Sequence, residues 1–210
     1  VSCIFDNNKA VSNGGAIMET YAVTCNFTYN TAINGGAMYQ DSALQCLFMF
    51  NSAVNGGALC SAFSNSCKFY NNTASKQGGA ISEGGAESSD FRYNRAVNGG
   101  AVWGSTGGSM DVRACKFISN VADEYGGAIY QTAAIGCLFS KNVANYGGAI
   151  AFGSASSCTF RYNVARVTGG VRYESYVADT EECIGNLPEY SIYVSDYVGL
   201  EGFGGNINIQ

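Results

Sequence analysis

The 210-residue chain has no histidine, one proline and one tryptophan, and charged residues are only 13% of it. Without histidine, the usual general base and the commonest metal ligand are missing. No Cys-x-x-Cys pair is present to build a metal site instead. No run of about 18 apolar residues occurs, so no helix of this sequence would span a bilayer, and no leader-like segment opens it. A Gly-x-x-x-x-Gly-Lys-Ser/Thr phosphate loop is absent. The net charge of −5 disfavours nucleic acid as a partner. No cofactor and no metal are expected.

What is present is a repeat. Phe-x-x-Asn-x-Ala occurs eight times, each copy followed by Gly-Gly, a small residue and an aliphatic one. The pairs are Phe5/Asn8, Phe27/Asn30, Phe48/Asn51, Phe69/Asn72, Phe91/Asn94, Phe117/Asn120, Phe139/Asn142 and Phe160/Asn163. The Gly-Gly pairs begin at Gly14, Gly35, Gly56, Gly78, Gly99, Gly126, Gly147 and Gly169, spaced 21, 21, 22, 21, 27, 21 and 22. A fixed period of this length marks a repeat architecture. Two Gly per repeat would cost an interior helix about 1 kcal/mol each, and the remaining residues favour strands and turns. The sequence therefore predicts an all-β parallel β-helix, a β-solenoid of about eight rungs over 1–173. Identical residues stack at roughly the 4.8 Å strand spacing. Phe would stack on Phe and Asn on Asn, with Gly-Gly supplying positive φ at a corner. The residue before each Phe (Ile4, Asn26, Leu47, Lys68, Asp90, Lys116, Leu138, Thr159) is chemically mixed and reads as outward.

These motifs resemble the repeat of the chlamydial polymorphic outer-membrane protein family. Gly-Gly-Ala-Ile is literal at 14–17, 78–81, 126–129 and 147–150; 35–38, 56–59 and 99–102 are close variants, and Gly169-Gly170-Val171 departs. The resemblance implies a right-handed parallel β-helix at a cell surface, often adhesive. Family members of Gram-negative bacteria end in a membrane barrel, and these 210 residues hold no such region. The resemblance thus speaks to fold and extracellular or cell-surface location.

Seven cysteines precede the repeat Phe by two residues: Cys3, Cys25, Cys46, Cys67, Cys115, Cys137 and Cys158. Ser89 takes the place in the fifth repeat, and Cys183 follows the last. Stacked Cα atoms would fall within disulfide range. The even blocks suggest Cys3–Cys25, Cys46–Cys67, Cys115–Cys137 and Cys158–Cys183, each worth about 3 kcal/mol in the chain-entropy model. The alternative is a column of free thiols acting as small hydrophobes. Cys60 is off the ladder. Two sequons, at Asn26 and Asn71, would matter in a glycosylating host.

Val1 falls inside a rung, in phase with Val23, which reads as a processed start or a piece of something longer. Residues 174–210 read as a non-repeating cap or subunit-docking segment. From Tyr173 onward there are seven acidic residues and no Lys or Arg, whereas 1–172 holds eleven basic and nine acidic. Asp179, Glu181 and Glu182 match no standard calcium loop. Two features invite binding: the long interval with Gly104–Ser109 after Trp103, and the column Tyr29, Phe50, Tyr93, Tyr162, for which packing is the expected role. Scattered carboxylates, with Asp123-Glu124 the only adjacent pair in the repeats, make an enzyme the weakest reading. The leading expectation is a structural solenoid of a surface appendage, assembling head-to-tail with itself. The second is an adhesin passenger binding a receptor or glycan, and the third a polysaccharide-active enzyme.

Overall fold

The computed structural model describes residues 2–104, 110–178, 182–187 and 192–193. Every regular element in it is a short strand, and every strand pairing is parallel to the same part of the next turn. Three stacks result. One holds nine strands, from Ile4–Asp6 to Glu182–Ile184, and carries the repeat Phe. A second holds six strands, from Ser52–Asn55 to Val164–Thr168, leading into Gly-Gly. The third, of fifteen strands, leads away from Gly-Gly. This is the β-solenoid expected.

Register is what makes the repeat a core. Each Phe pairs with the next, from Phe5↔Phe27 to Phe139↔Phe160, and the step Phe91↔Phe117 holds across the long interval. The register of the coil is therefore the same on both sides of that interval. Successive rings are 4.7–5.0 Å apart and within 3–9° of parallel. From Phe27 to Phe160 each repeat Phe, Phe48 included, is fully buried. The alternation predicted around Phe holds, because the preceding column is outward while Cys and Phe point inward.

The Asn ladder ties three turns at once. Asn51 Oδ1 accepts from the backbone N–H and the side-chain amide of Asn30. Asn51 Nδ2 donates to Asn72 Oδ1 and to the Phe27 carbonyl. Asn142 repeats the pattern in the seventh turn. Its Oδ1 accepts from the Asn120 N–H and Nδ2, and its Nδ2 donates to Asn163 Oδ1 and to the Phe117 carbonyl, both at 2.9 Å. A side-chain amide offers two donors and an acceptor oxygen, and all are used. Aspartate would lack the donors and would stack like charges.

The two glycines of each pair do different work. Gly56 sits at φ +62, the left-handed region. Gly57 does not, but a Cβ there would meet the Gly79 carbonyl oxygen at 2.1 Å. The next turn lies against it. The other corners of each turn are also left-handed and mostly lack glycine, as at Phe50, Ser61 and Ser66 in the third turn.

Two expectations change. The coil does not fade at Tyr173. Tyr176–Ala178, Glu182–Ile184 and Ile192–Tyr193 each pair with the preceding turn, and Asn186 extends the Asn ladder by bonding Asn163. The proposed boundary at 173/174 thus falls inside the eighth turn, and a ninth begins at Glu182–Ile184; residues 194–210 lie outside the described ones. Cys183 pairs with Phe160, so it occupies the Phe column and not the Cys column, and the pairing Cys158–Cys183 loses its basis. The cause is spacing: 25 residues separate these cysteines, two more than the 23-residue step from Phe160 to Cys183. Arg172 stands where other turns carry an aliphatic residue. It is buried, with its guanidinium 5.7 Å from the Phe160 ring centroid.

Candidate functional site

The predicted ladder residues are brought together, but as scaffold and not as a site. From Asn30 through Asn142 to Asn163 the ladder asparagines are fully buried, with their amides bonded between turns, so none of them, Asn142 included, faces a ligand. Asn8 alone among them is exposed, at the open first turn.

All nine cysteines, from Cys3 to Cys183, are thiols. From Cys25 to Cys158, each sulfur of the column accepts the N–H of the residue one turn earlier, a cysteine or, for Cys115, Ser89, as in Cys25 N–H to Cys46 Sγ at 3.4 Å. It also donates to the carbonyl two residues before it, as Cys46 does to Leu44 at 3.3 Å. Ser89 makes the same two bonds, so it fills the break in the column instead of dividing it. Translation-related thiols with one rotamer sit about a rung apart, whereas a disulfide needs Cβ atoms about 3.5–4.5 Å apart and sulfurs at about 2.05 Å. Contact with Cys46, then burial, raises the Cys67 thiol well above the ordinary range, while the same contact lowers Cys46 to about 7, so it is the spacing of the column and not the lack of a thiolate that speaks against exchange. Cys60 lies in another column, where burial pushes it up to about 11.

Both sequon asparagines, Asn26 and Asn71, are exposed. The column Tyr29, Phe50, Tyr93 and Tyr162 is not core. It is a left-handed corner, 40–59% exposed, in which only Tyr29 and Phe50 stack, at 5.1 Å. The carboxylates do not converge. Asp123 pairs with Arg95, Asp90 with Arg92 and Asp111 with Arg113. No group of three His, Cys, Asp or Glu stands in a metal-binding arrangement among the described residues.

A different feature stands out, at the Gly-Gly corner of the C-terminal half. The residue before each Gly-Gly and the residue three after it flank one tight turn. In the sixth turn these are Tyr125 and Tyr130, with ring centroids 6.1 Å apart. Tyr146 stacks on Tyr125 at 5.0 Å. In the other column Tyr130 and Tyr173 are separated by Ala151. Phe152 leans into that gap, edge-on to Tyr130 at 5.4 Å and to Tyr173 at 5.5 Å. Phe152 is 39% exposed and has φ +53, a conformation disfavoured for a bulky residue. Tyr125, Tyr130, Tyr146 and Tyr173 are half-buried. The Tyr130 hydroxyl is held above its usual range, first by burial and then by Tyr125 and Glu124.

The same columns continue toward the N-terminus through Asn98 and Trp103, which pair with Tyr125 and Tyr130, and through Ser82, which pairs with Trp103. Asn98 Oδ1 and Trp103 Nε1 are buried atoms without a hydrogen-bond partner, and Ser82 Oγ, also buried, has only the Cys60 thiol beside it. The long interval departs from Gly104, beside Trp103, and re-enters at Met110, whose carbonyl accepts from Thr132. The loop's own residues 105–109 lie outside the described ones. The sequence showed Trp103 and the interval. It hid the aromatic cluster, because its rings come from three columns and three turns that only the corner unites.

The repeat description for the Chlamydia polymorphic membrane protein matches residues 2–18, 66–82 and 114–132. Three stretches of this chain are thus similar to the Chlamydia polymorphic membrane protein repeat. The three matched stretches begin at or next to the cysteine column and end just beyond the Gly-Gly corner, and the five other copies sit in the same register. No curated protein and no solved structure matches.

Proposed function

We propose that the chain is a stretch of surface-displayed, passenger-like β-solenoid that works by recognition and not by catalysis. The observation that carries this is the polymorphic membrane protein repeat wound into a stiff rod with an aromatic side face. Nine turns at the strand spacing of about 4.8 Å give a rod of roughly 40 Å. The rod holds its side face at fixed geometry, because the first eight turns are bonded each to the next through Phe, Asn and Cys columns. A cell-surface setting suits a neutral, low-charge coat.

The head-to-tail fibre is the second reading. Its support is the open first turn, where Ile4 is 75% exposed and Val11 90%. A preceding turn of a longer chain would cover that edge as well as a second copy would, so the aromatic side face ranks recognition first. Two measurements test the proposal. Antibody labelling and protease shaving of intact producing cells should reach the chain. Electron microscopy of native material should show rods. Labelling only after permeabilisation would end the surface reading, and long filaments with a roughly 40 Å axial repeat would put assembly ahead of recognition.

A further inference from the structure

We infer that the Gly-Gly corner from the fourth to the eighth turn is a binding face for neutral saccharide chains. Pyranose rings would stack against Tyr125, Tyr130, Tyr146, Phe152 and Tyr173, and sugar hydroxyls would satisfy the polar atoms around Trp103. This inference rests on the recognition reading above and names its ligand class.

Four observations converge. The rings are clustered, with contacts of 5.0–5.5 Å, yet remain at the surface. Edge-to-face contacts on both sides hold Phe152 in its left-handed backbone position, so the platform is preformed. The face runs without a break in register into a corner with an unpartnered donor (Trp103 Nε1) and acceptor (Asn98 Oδ1), beside a hydroxyl (Ser82 Oγ) that meets only the weak Cys60 thiol. Unmet buried polar atoms are costly, and a ligand or a rearrangement that meets them is rewarded. The solenoid's long interval also opens at Trp103, and insertions in repeat proteins gather on the binding face.

The chemistry of the occupant follows from what the face offers. A purely apolar partner would leave Trp103 Nε1 and Asn98 Oδ1 unmet. An anionic partner would find little cation: Arg95 is engaged with Asp123, and Glu124 and Glu83 add negative charge near Tyr130 and Ser82. Flat rings with unpaired donors and acceptors at one end suit a molecule with apolar ring faces and hydroxyl edges.

The single tryptophan makes the test site-specific. The full chain is titrated with chitohexaose, maltohexaose and xylohexaose while Trp103 emission is followed, with heparin and a proline-rich peptide as competing classes. A saturable emission change with at least one neutral hexasaccharide is expected. Phe152→Ala and Tyr146→Leu should each weaken it at least tenfold, with circular dichroism unchanged. Tyr29→Ala, on the other exposed aromatic column, should leave it intact. Binding by none of the three saccharides, binding equal in the Phe152→Ala and Tyr146→Leu proteins, or binding confined to heparin or the peptide would overturn the inference. Surface labelling reads the wider proposal independently, so a labelled protein that ignores saccharides sinks only this step.

Discussion

Removing one amide from the middle of the Asn ladder should cost more than any surface change. Asn94 Oδ1 accepts from the Asn72 backbone N–H at 3.0 Å and from Asn72 Nδ2 at 3.1 Å. Its Nδ2 donates to the Phe69 carbonyl at 2.9 Å and to Asn120 Oδ1 at 3.0 Å. In Asn94→Ala the buried Asn72 N–H loses its acceptor, a penalty of about 1–3 kcal/mol, and three further neutral bonds go at about 0.5–1.5 kcal/mol each. Asn72 Nδ2 and Asn120 Oδ1 keep second partners, which trims the sum to about 2–6 kcal/mol. Asn142→Ala, with the same four bonds, should match it. Asn8 supplies the control. It is exposed, and its side chain makes one bond, to Asn30 Oδ1, so Asn8→Ala should cost about 0.5–1.5 kcal/mol. Urea unfolding followed by circular dichroism measures all three. Amide exchange at Asn72 locates the damage in Asn94→Ala, which matters because repeat arrays can unfold piecemeal. If Asn94→Ala and Asn8→Ala lose equal stability, or Asn72 exchange is unchanged, the ladder argument is wrong.

Gly79→Ala should be severe, at about 3 kcal/mol or more, because its Cβ would meet the Gly100 oxygen at 2.1 Å and the Arg95 nitrogen at 2.6 Å. Gly136→Ala meets nothing within 4 Å and should cost only the left-handed penalty of about 1–2 kcal/mol, as Ala114 in the same column tolerates φ 51; thermal melts that rank the two the other way would refute the close-approach argument. Cys67→Ser should stay within about 1 kcal/mol, a typical hydrogen-bond increment, since Ser89 already does that work, and non-reducing mass spectrometry should count nine thiols; a Cys46–Cys67 or Cys115–Cys137 bond would show that the column twists to pair. Because the Tyr130 phenol is raised, its contribution is complete below the ordinary value of about 10 and is lost as pH climbs through the higher folded value. Tyr130→Phe should therefore remove a late phenolate step from the alkaline absorbance titration, and an unaltered profile would contradict the burial account.

Much of the coil was legible because a solenoid repeats its physics. Phe5 to Phe160, Asn8 to Asn163 and the Gly-Gly corners recur at one period, and parallel stacking is the arrangement that puts every copy in the same surroundings. What escaped did so for local reasons. Cys183 kept its identity but changed column, because a two-residue difference in spacing reverses nothing on its face and is invisible without register. The ninth turn lacks both Phe and Gly-Gly, so only Asn186 marks it. The aromatic face was missed because Tyr125 and Tyr130 are five residues apart in the chain and adjacent only once Gly126-Gly127 folds the corner. The column Tyr29, Phe50, Tyr93 and Tyr162 looked like packing because its rings are large; its left-handed φ turns them outward.

The central claim is that one repeat equals one axial step, whatever its length in residues. Pairs of genetically encoded spin labels in the outward column test it by pulsed dipolar spectroscopy. Labels at Asn26 and Asp90 lie three steps apart, at Asn26 and Lys116 four, and at Asn26 and Thr159 six. The account predicts distances of about 14, 19 and 29 Å, linear in steps at about 4.8 Å each. The step from Asp90 to Lys116 should be no longer than the others despite its inserted residues. A jump at that step, or distances that fail to grow with turn number, would contradict the solenoid.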